Sequence, residues 1–132
     1  MAALNYLDWV PDVVHCHDWQ AALVPLYLRT CFADTNVGRA SAVLTIHNLK
    51  FQGIYDRKMI QYWSGLPDYV FNKDCLTQNW LDANMLKGGI TYCNRLTTVS
   101  NTYAGEIQTE EYGEGLAEHL RYHQREIGRA HV

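Results

Sequence analysis

Pro11-Asp-Val-Val-His-Cys-His-Asp-Trp19 and Ser41-Ala-Val-Leu-Thr-Ile-His-Asn48 decide the fold. Each is a short apolar run that ends in a histidine followed by a second polar residue. Hydrophobic residues on consecutive rather than alternate positions fit a strand covered on both faces, the way parallel sheets flanked by helices are built. Both runs therefore read as buried parallel strands of an α/β sheet. Ligands of such open sheets bind beyond the carboxyl ends of the strands. His17, Asp18, His47 and Asn48 stand at those ends, so position alone makes them site candidates.

Outward from these runs, Ala2 to Trp9 reads as the tail of a helix that stops near Pro11, with Leu4, Leu7 and Trp9 on one face. Asp18 is placed to cap a helix from Trp19 to about Cys31, kinked at Pro25. Ala33 to Gly38 is rich in turn residues. The loop Asn48-Leu-Lys-Phe-Gln-Gly-Ile-Tyr55 is aromatic enough to pack down, and Asp56 to Asn79 reads as a short helix with an irregular excursion. From Trp80 to Asn94 the spacing of Leu86, Ile90 and Cys93 predicts a helix with one apolar face. Arg95-Leu-Thr-Thr-Val-Ser100 is a third strand, Ser100 or Asn101 caps a further helix, and Leu116 to His123 forms the last one. Strands alternating with helices in this order predict right-handed crossovers around a parallel sheet, a partial Rossmann-like, three-layer α/β domain.

Composition limits the rest. A chain of 132 residues is about one domain, and 48% hydrophobic residues suffice for a core. A net charge of -3 without a Lys/Arg cluster argues against a nucleic-acid surface. No apolar stretch approaches the roughly 20 residues of a bilayer span, and Met1-Ala-Ala-Leu-Asn lacks a basic n-region. A cytoplasmic location is the expectation. Cys16, Cys31, Cys75 and Cys93 form no Cys-x-x-Cys pair, and Cys16 and Cys93 fall on core positions as small hydrophobes.

Each site candidate has a plainer competitor. His15 and His17 point to one face of a strand and could share a zinc ion, but no further ligands stand at a companion spacing, which favours a satisfied core His15 and a rim His17. Asp18 could serve only as a helix cap, worth about 1 kcal/mol. His47 and Asn48 offer neutral donors and acceptors suited to sugar hydroxyls, or simply bond their own loop. Lys87-Gly88-Gly89 imitates a phosphate loop but lies in mid-helix, where its glycines would let the helix approach the sheet. No cofactor-binding or hydrolase motif is present.

Five segments in order carry a resemblance: His15-Cys-His-Asp-Trp-Gln20, Thr45-Ile-His-Asn-Leu-Lys-Phe-Gln-Gly53, Leu86-Lys-Gly-Gly-Ile-Thr-Tyr92, Thr97-Thr-Val-Ser-Asn-Thr-Tyr-Ala-Gly-Glu-Ile107 and Glu111-Tyr-Gly-Glu-Gly115. Together they resemble the bacterial glycogen synthase and plant starch synthase family, glycosyltransferase family 5. The resemblance implies half of a two-Rossmann-domain, retaining glucosyltransferase. Such an enzyme moves glucose from ADP-glucose or UDP-glucose to the non-reducing end of an α-1,4-glucan, in the cytoplasm or in a plastid. It also implies that Asp18 and His47 are catalytic and face an interdomain cleft, that Trp19 and Asn48 flank them as substrate-binding residues, and that no metal or cofactor is needed.

Residues 1–124 then correspond to the later part of the N-terminal, acceptor-side domain. The family's lysine loop K-T-G-G-L and its C-terminal nucleotide-binding domain have no counterpart in the sequence, so the chain is expected to be inactive alone. Residues 125–132 match nothing in the family and read like the translation of a sequencing-library adapter, which removes Arg129 and His131 from the site. Two other readings compete. One is a non-catalytic module that binds glucan or a protein partner, and the other is a small metallohydrolase using His15 and His17.

Overall fold

The computed structural model describes residues 1–123 and 127–129; Gln124, 125, 126 and 130–132, with most of the segment read as a tail and His131, lie outside the described residues. Its centre is a four-stranded sheet in which β1 (Val13–His17), β2 (Ser41–Ile46), β5 (Arg95–Thr98) and β6 (Ile127–Arg129) lie side by side in that order, all parallel. A second, antiparallel pair joins β3 (Ile54–Asp56) to β4 (Asp82–Asn84). The helices are α1 (Val24–Arg29), α2 (Arg57–Ser64), α3 (Met85–Tyr92), α4 (Asn101–Glu106) and α5 (Ala117–Tyr122). None of them is long and apolar enough to cross a membrane.

The register gives the sheet two unlike faces. Cys16 pairs with Leu44 and Leu44 with Leu96, so one face presents an apolar row to the core formed with Leu86, Ile90 and Ile107. Burial pushes the Cys16 thiol up to about 11. On the opposite face His17, Thr45 and Thr97 fall in one row, with His15 beside them. β2 is covered along most of its length, as its consecutive apolar residues require. β1 is not: it is the edge strand, Cys16 is its one buried residue, and His15 is exposed rather than a core histidine.

Local rules were overridden at several places. The opening segment is one 3₁₀ turn, Ala2–Tyr6, and leaves Leu7 and Trp9 exposed. Pro25 does more than kink the helix after Asp18: it sits in the first turn of α1, where a missing N–H costs nothing, and a separate 3₁₀ turn, Trp19–Ala21, precedes it. The helix expected from Trp80 begins at Met85. Trp80 and Leu81 are exposed, Asp82–Asn84 pairs with β3, and Asn84 caps α3 by accepting the Lys87 N–H at 3.0 Å. The buried face of Leu86, Ile90 and Cys93 is as the spacing predicts. Gly89 faces Ala22 rather than the sheet: a Cβ there would lie 2.7 Å from the Ala22 carbonyl oxygen. Lys87 donates to the carbonyls of Lys73 (2.5 Å) and Thr77 (3.0 Å), which ties it to the excursion.

Candidate functional site

β1 and β2 run parallel and in register, His17 opposite Thr45, so the residues that follow them leave the sheet at the same edge. Asp18 N–H donates to the Thr45 carbonyl at 2.9 Å, extending the ladder by one step. The Asp18 carboxylate then turns across to the neighbouring chain end. Its Oδ1 accepts the His47 N–H at 2.8 Å and lies 3.5 Å from the Asn48 nitrogen. Asp18 makes no capping bond to the turn that follows it, so the plainer reading of this residue fails on geometry. Its backbone, at φ 57° and ψ -169°, explains why: the side chain is carried away from the helix start. That region of backbone space is adopted freely only by glycine.

Asp18, Trp19, Gln20, Asn48 and Phe51 line a hollow of about 280 Å³, and Trp19 and Phe51 continue into a second, shallow one of about 310 Å³ that Gly53 and Tyr55 also line. The Trp19 and Tyr55 rings stand 5.9 Å apart at 50°. Gly53 has a φ of +67°, and a Cβ on it would come within 2.5 Å of Trp19 Cε3, so a glycine is needed both for the turn and beneath the indole. A larger hollow of about 560 Å³ lies elsewhere, between Lys73, Lys87 and His119, and shares no residue with the strand ends.

The loop from His47 to Gly53 is fastened from below by residues that sequence reasoning left unassigned. Leu49 is buried and its N–H donates to the Tyr103 hydroxyl at 3.0 Å. Gln52 is buried too: its amide donates to the carbonyls of Leu49 (3.0 Å) and Glu114 (2.8 Å), and its oxygen accepts from Asn84 at 2.7 Å. Phe51, Ile54 and Tyr55, by contrast, stay largely exposed, so the expectation that the aromatic loop packs down holds for Leu49 and Gln52 only. The signal for Gln20, Phe51 and Gln52 was their place inside the two quoted motifs.

Three histidines occupy the polar corner of the site. His15 Nε2 lies 2.7 Å from Thr45 Oγ1, which meets Thr97 Oγ1 at 2.5 Å. Partial desolvation, and then the neighbouring imidazoles of His17 and His47, hold His15 below the usual histidine range and favour its neutral form. His17 Nδ1 lies 3.1 Å from His47 Nε2. Among the described residues no group of three or more His, Cys, Asp or Glu side chains is arranged to hold a metal ion.

Known proteins share this sequence and fold. The family model described as the starch synthase catalytic domain matches residues 1–122. The chain belongs to that family. Among starch synthase relatives, the glycogen synthase of Thermotoga petrophila is 49% identical over 125 residues, 94% of this chain and 25% of the relative. That of Lachnospira eligens is 50% identical over 117 residues, 88% of this chain and 24% of the relative. The solved catalytic domain of starch synthase IV from Arabidopsis thaliana, bound to ADP and acarbose, superposes with a TM-score of 0.89 at 33% identity, covering 97% of this chain and 27% of that one. The chain thus spans about a quarter of the length of the curated relatives it matches. Its Rossmann-like α/β fold is that of the starch synthase catalytic domain.

Proposed function

We propose that this chain supplies the acceptor-side lip of a retaining glucosyltransferase that extends an α-1,4-glucan from a nucleotide sugar. Asp18 and His47 act on the reacting glucosyl group, and Trp19 and Asn48 bind substrate. One observation carries the reading: the Asp18 carboxylate bonded to the His47 backbone at the ends of two adjacent parallel strands. ADP-glucose is the preferred donor in this reading, since the Arabidopsis relative binds ADP, the group that ADP-glucose leaves behind.

During transfer the bond from the anomeric carbon to the diphosphate oxygen breaks, and its electron pair leaves on the diphosphate. A glucan hydroxyl forms the new bond on the same face, and its proton goes to the departing phosphate. Positive charge grows on the glucosyl carbon and ring oxygen between the two events. A carboxylate and a carbonyl dipole held beside that charge stabilise it more than they stabilise the ground state. The Asp18 carboxylate and the His47 backbone carbonyl are the two groups assigned this task. No covalent intermediate on Asp18 enters this reading, since among the described residues lining its hollow no second carboxylate stands with it as glycosidase chemistry demands. In this reading cations for the departing diphosphate come from the rest of the synthase, of whose curated relatives this chain spans about a quarter.

The test uses a full-length synthase containing this segment, with transfer of labelled glucose to glucan as the readout. Asp18→Asn lowers kcat by about 10²-fold or more, the usual cost of losing a preorganised charge-stabilising group. His47→Ala keeps the backbone carbonyl and loses only the side-chain contact, so its loss is smaller and falls on donor KM. A folded Asp18→Asn enzyme with parental kcat refutes the assignment.

A further inference from the structure

His17 ends β1 and His47 follows the last residue of β2, and their rings meet with centroids 5.3 Å apart at a tilt of 32°. His15 also lies against His17, ring centroids 4.2 Å apart at a tilt of 36°. The hydrogen bonds divide the ring nitrogens among them: Thr45 takes Nε2 of His15, and Nδ1 of His17 meets Nε2 of His47. The His47 main-chain N–H is held by Asp18. Nδ1 is then the polar atom of the His47 side chain without a hydrogen-bond partner among the described residues.

A hydrogen bond between two neutral imidazoles needs one N–H and one bare nitrogen, and the bond made by one ring nitrogen sets the character of the other. If His17 donates, Nδ1 of His47 carries the proton; if His17 accepts, Nδ1 of His47 is bare. Either way the bond ties the tautomer of His47 to that of His17 and keeps the ring from flipping. All three rings are exposed, so the bond between His17 and His47 contributes little to folding, and its effect is on orientation.

We propose that His17 is a positioning residue for His47: by holding Nε2 it fixes the ring and leaves Nδ1 as the nitrogen offered to a hydroxyl of the bound sugar. The ligand in this statement rests on the function proposed above; the ring geometry does not.

The first experiment uses the 132-residue chain with ¹⁵N-labelled histidine rings, at mildly alkaline pH. Long-range proton–nitrogen NMR spectra show His47 and His17 in complementary tautomers, and a coupling across the hydrogen bond links His47 Nε2 to His17 Nδ1. His17→Phe keeps a ring but no nitrogen; it removes the coupling and shifts the tautomer populations of His47. His17→Asn places an amide near the former Nδ1 and restores a hydrogen bond to Nε2 of His47, bringing those populations back toward the parent's. His47 ring signals that ignore His17→Phe overturn the proposal.

The second is a double-mutant cycle in a full-length synthase containing this segment. His17→Phe raises donor KM about two- to tenfold, the worth of one neutral hydrogen bond. In a His47→Ala background the same change has no effect. Equal losses in both backgrounds mean that His17 acts on the fold and overturn the positioning role. If His47→Ala itself changes neither KM nor kcat, the sugar-transfer reading fails, while the tautomer result still decides the ring geometry.

Discussion

Asp18 retains a side chain at a backbone position suited to glycine, and the cost of that choice is measurable. At φ 57° and ψ -169° a residue with a Cβ is strained by about 1–3 kcal/mol. Asp18→Ala keeps the strain and loses the bond from Oδ1 to the His47 N–H, which in a half-buried, partly solvated setting is worth about 1 kcal/mol. The alanine variant is therefore less stable than the parent by about that amount. Asp18→Gly loses the same bond and pays about 0.4–1 kcal/mol for a more flexible unfolded chain. It recovers the strain, so it lies within about 1 kcal/mol of the parent and about 1 kcal/mol above the alanine variant. With urea m-values of about 1–3 kcal/mol/M, the gap is a midpoint difference of about 0.5 M, followed by tryptophan fluorescence and far-UV circular dichroism. In a full-length synthase both variants lose the carboxylate and transfer falls alike. An alanine midpoint equal to or above the glycine midpoint refutes the strain argument.

Gly89→Ala destabilises the fold by about 1–2 kcal/mol, since the new methyl meets fixed atoms of Ala22 and the crowding outweighs roughly 1 kcal/mol of gained helix propensity. Gly88→Ala is close to neutral in the same thermal melts, because it meets the movable end of Leu76, and equal effects at the two positions contradict this packing. Asn84→Ala removes the cap of α3 and orphans the buried Gln52 oxygen, for a loss of about 2–3 kcal/mol in a denaturation midpoint; a loss under about 0.5 kcal/mol rejects the network. Burial, and then the charges of His123 and Lys87, push His119 from 6.5 down to about 4, so between those values the unfolded chain binds the extra proton. The contribution of His119 is complete above pH 6.5 and is lost as pH falls toward 4; His119→Gln flattens that part of the stability curve, and an unchanged slope refutes it.

What the sequence made legible was whatever depends on neighbours in the chain. β2 was readable to the residue because a consecutive apolar run with Val43 and Ile46 admits little else between Ser41 and His47. Leu86, Ile90 and Cys93 announced the buried face of α3 by spacing alone. β3 and β4 were hidden, since Ile54-Tyr55-Asp56 carries no alternation and Asp82-Ala-Asn84 runs in phase with the helix it precedes. Only their pairing makes them strands. β1 looked like β2 in sequence, and its exposure follows from standing at the edge, a property of strand order rather than of local pattern. β6, from a segment that matched no motif, was likewise unreadable. At the site, the placement of Asp18 and His47 beside one another followed from two strand ends, but the bond between them did not. An aspartate before a helical turn reads locally as a cap, and nothing near Asp18 in the chain points to a partner 29 residues away.

Under the function proposed above, the ties at the strand ends bear on transfer through stiffness. The lip is fixed from above by Asp18, which bonds both the Thr45 carbonyl and the His47 N–H, and from the side by the ring of His17. From below it is fixed by Tyr103, Gln52 and the close seating of Gly53 under Trp19. Each bond is modest, about 0.5–1.5 kcal/mol net, and none alone would hold a seven-residue loop. They hold different points of the loop, from His47 through Leu49 and Gln52 to Gly53, so the loop is held jointly. Electrostatic stabilisation of a developing charge is effective in proportion to how little the stabilising dipoles must reorganise. In the role proposed for the His47 carbonyl, a loop tied by Asp18, His17, Tyr103 and Gln52 serves that requirement, and the strained backbone of Asp18 is the cost of the first tie. Loosening the lower ties should therefore cost transfer without touching any group that contacts sugar. Tyr103→Phe, which removes the acceptor for Leu49 N–H and keeps the ring, is the direct case: kcat in a full-length synthase falls while donor KM holds, and an unchanged kcat means that the loop needs no anchor from α4.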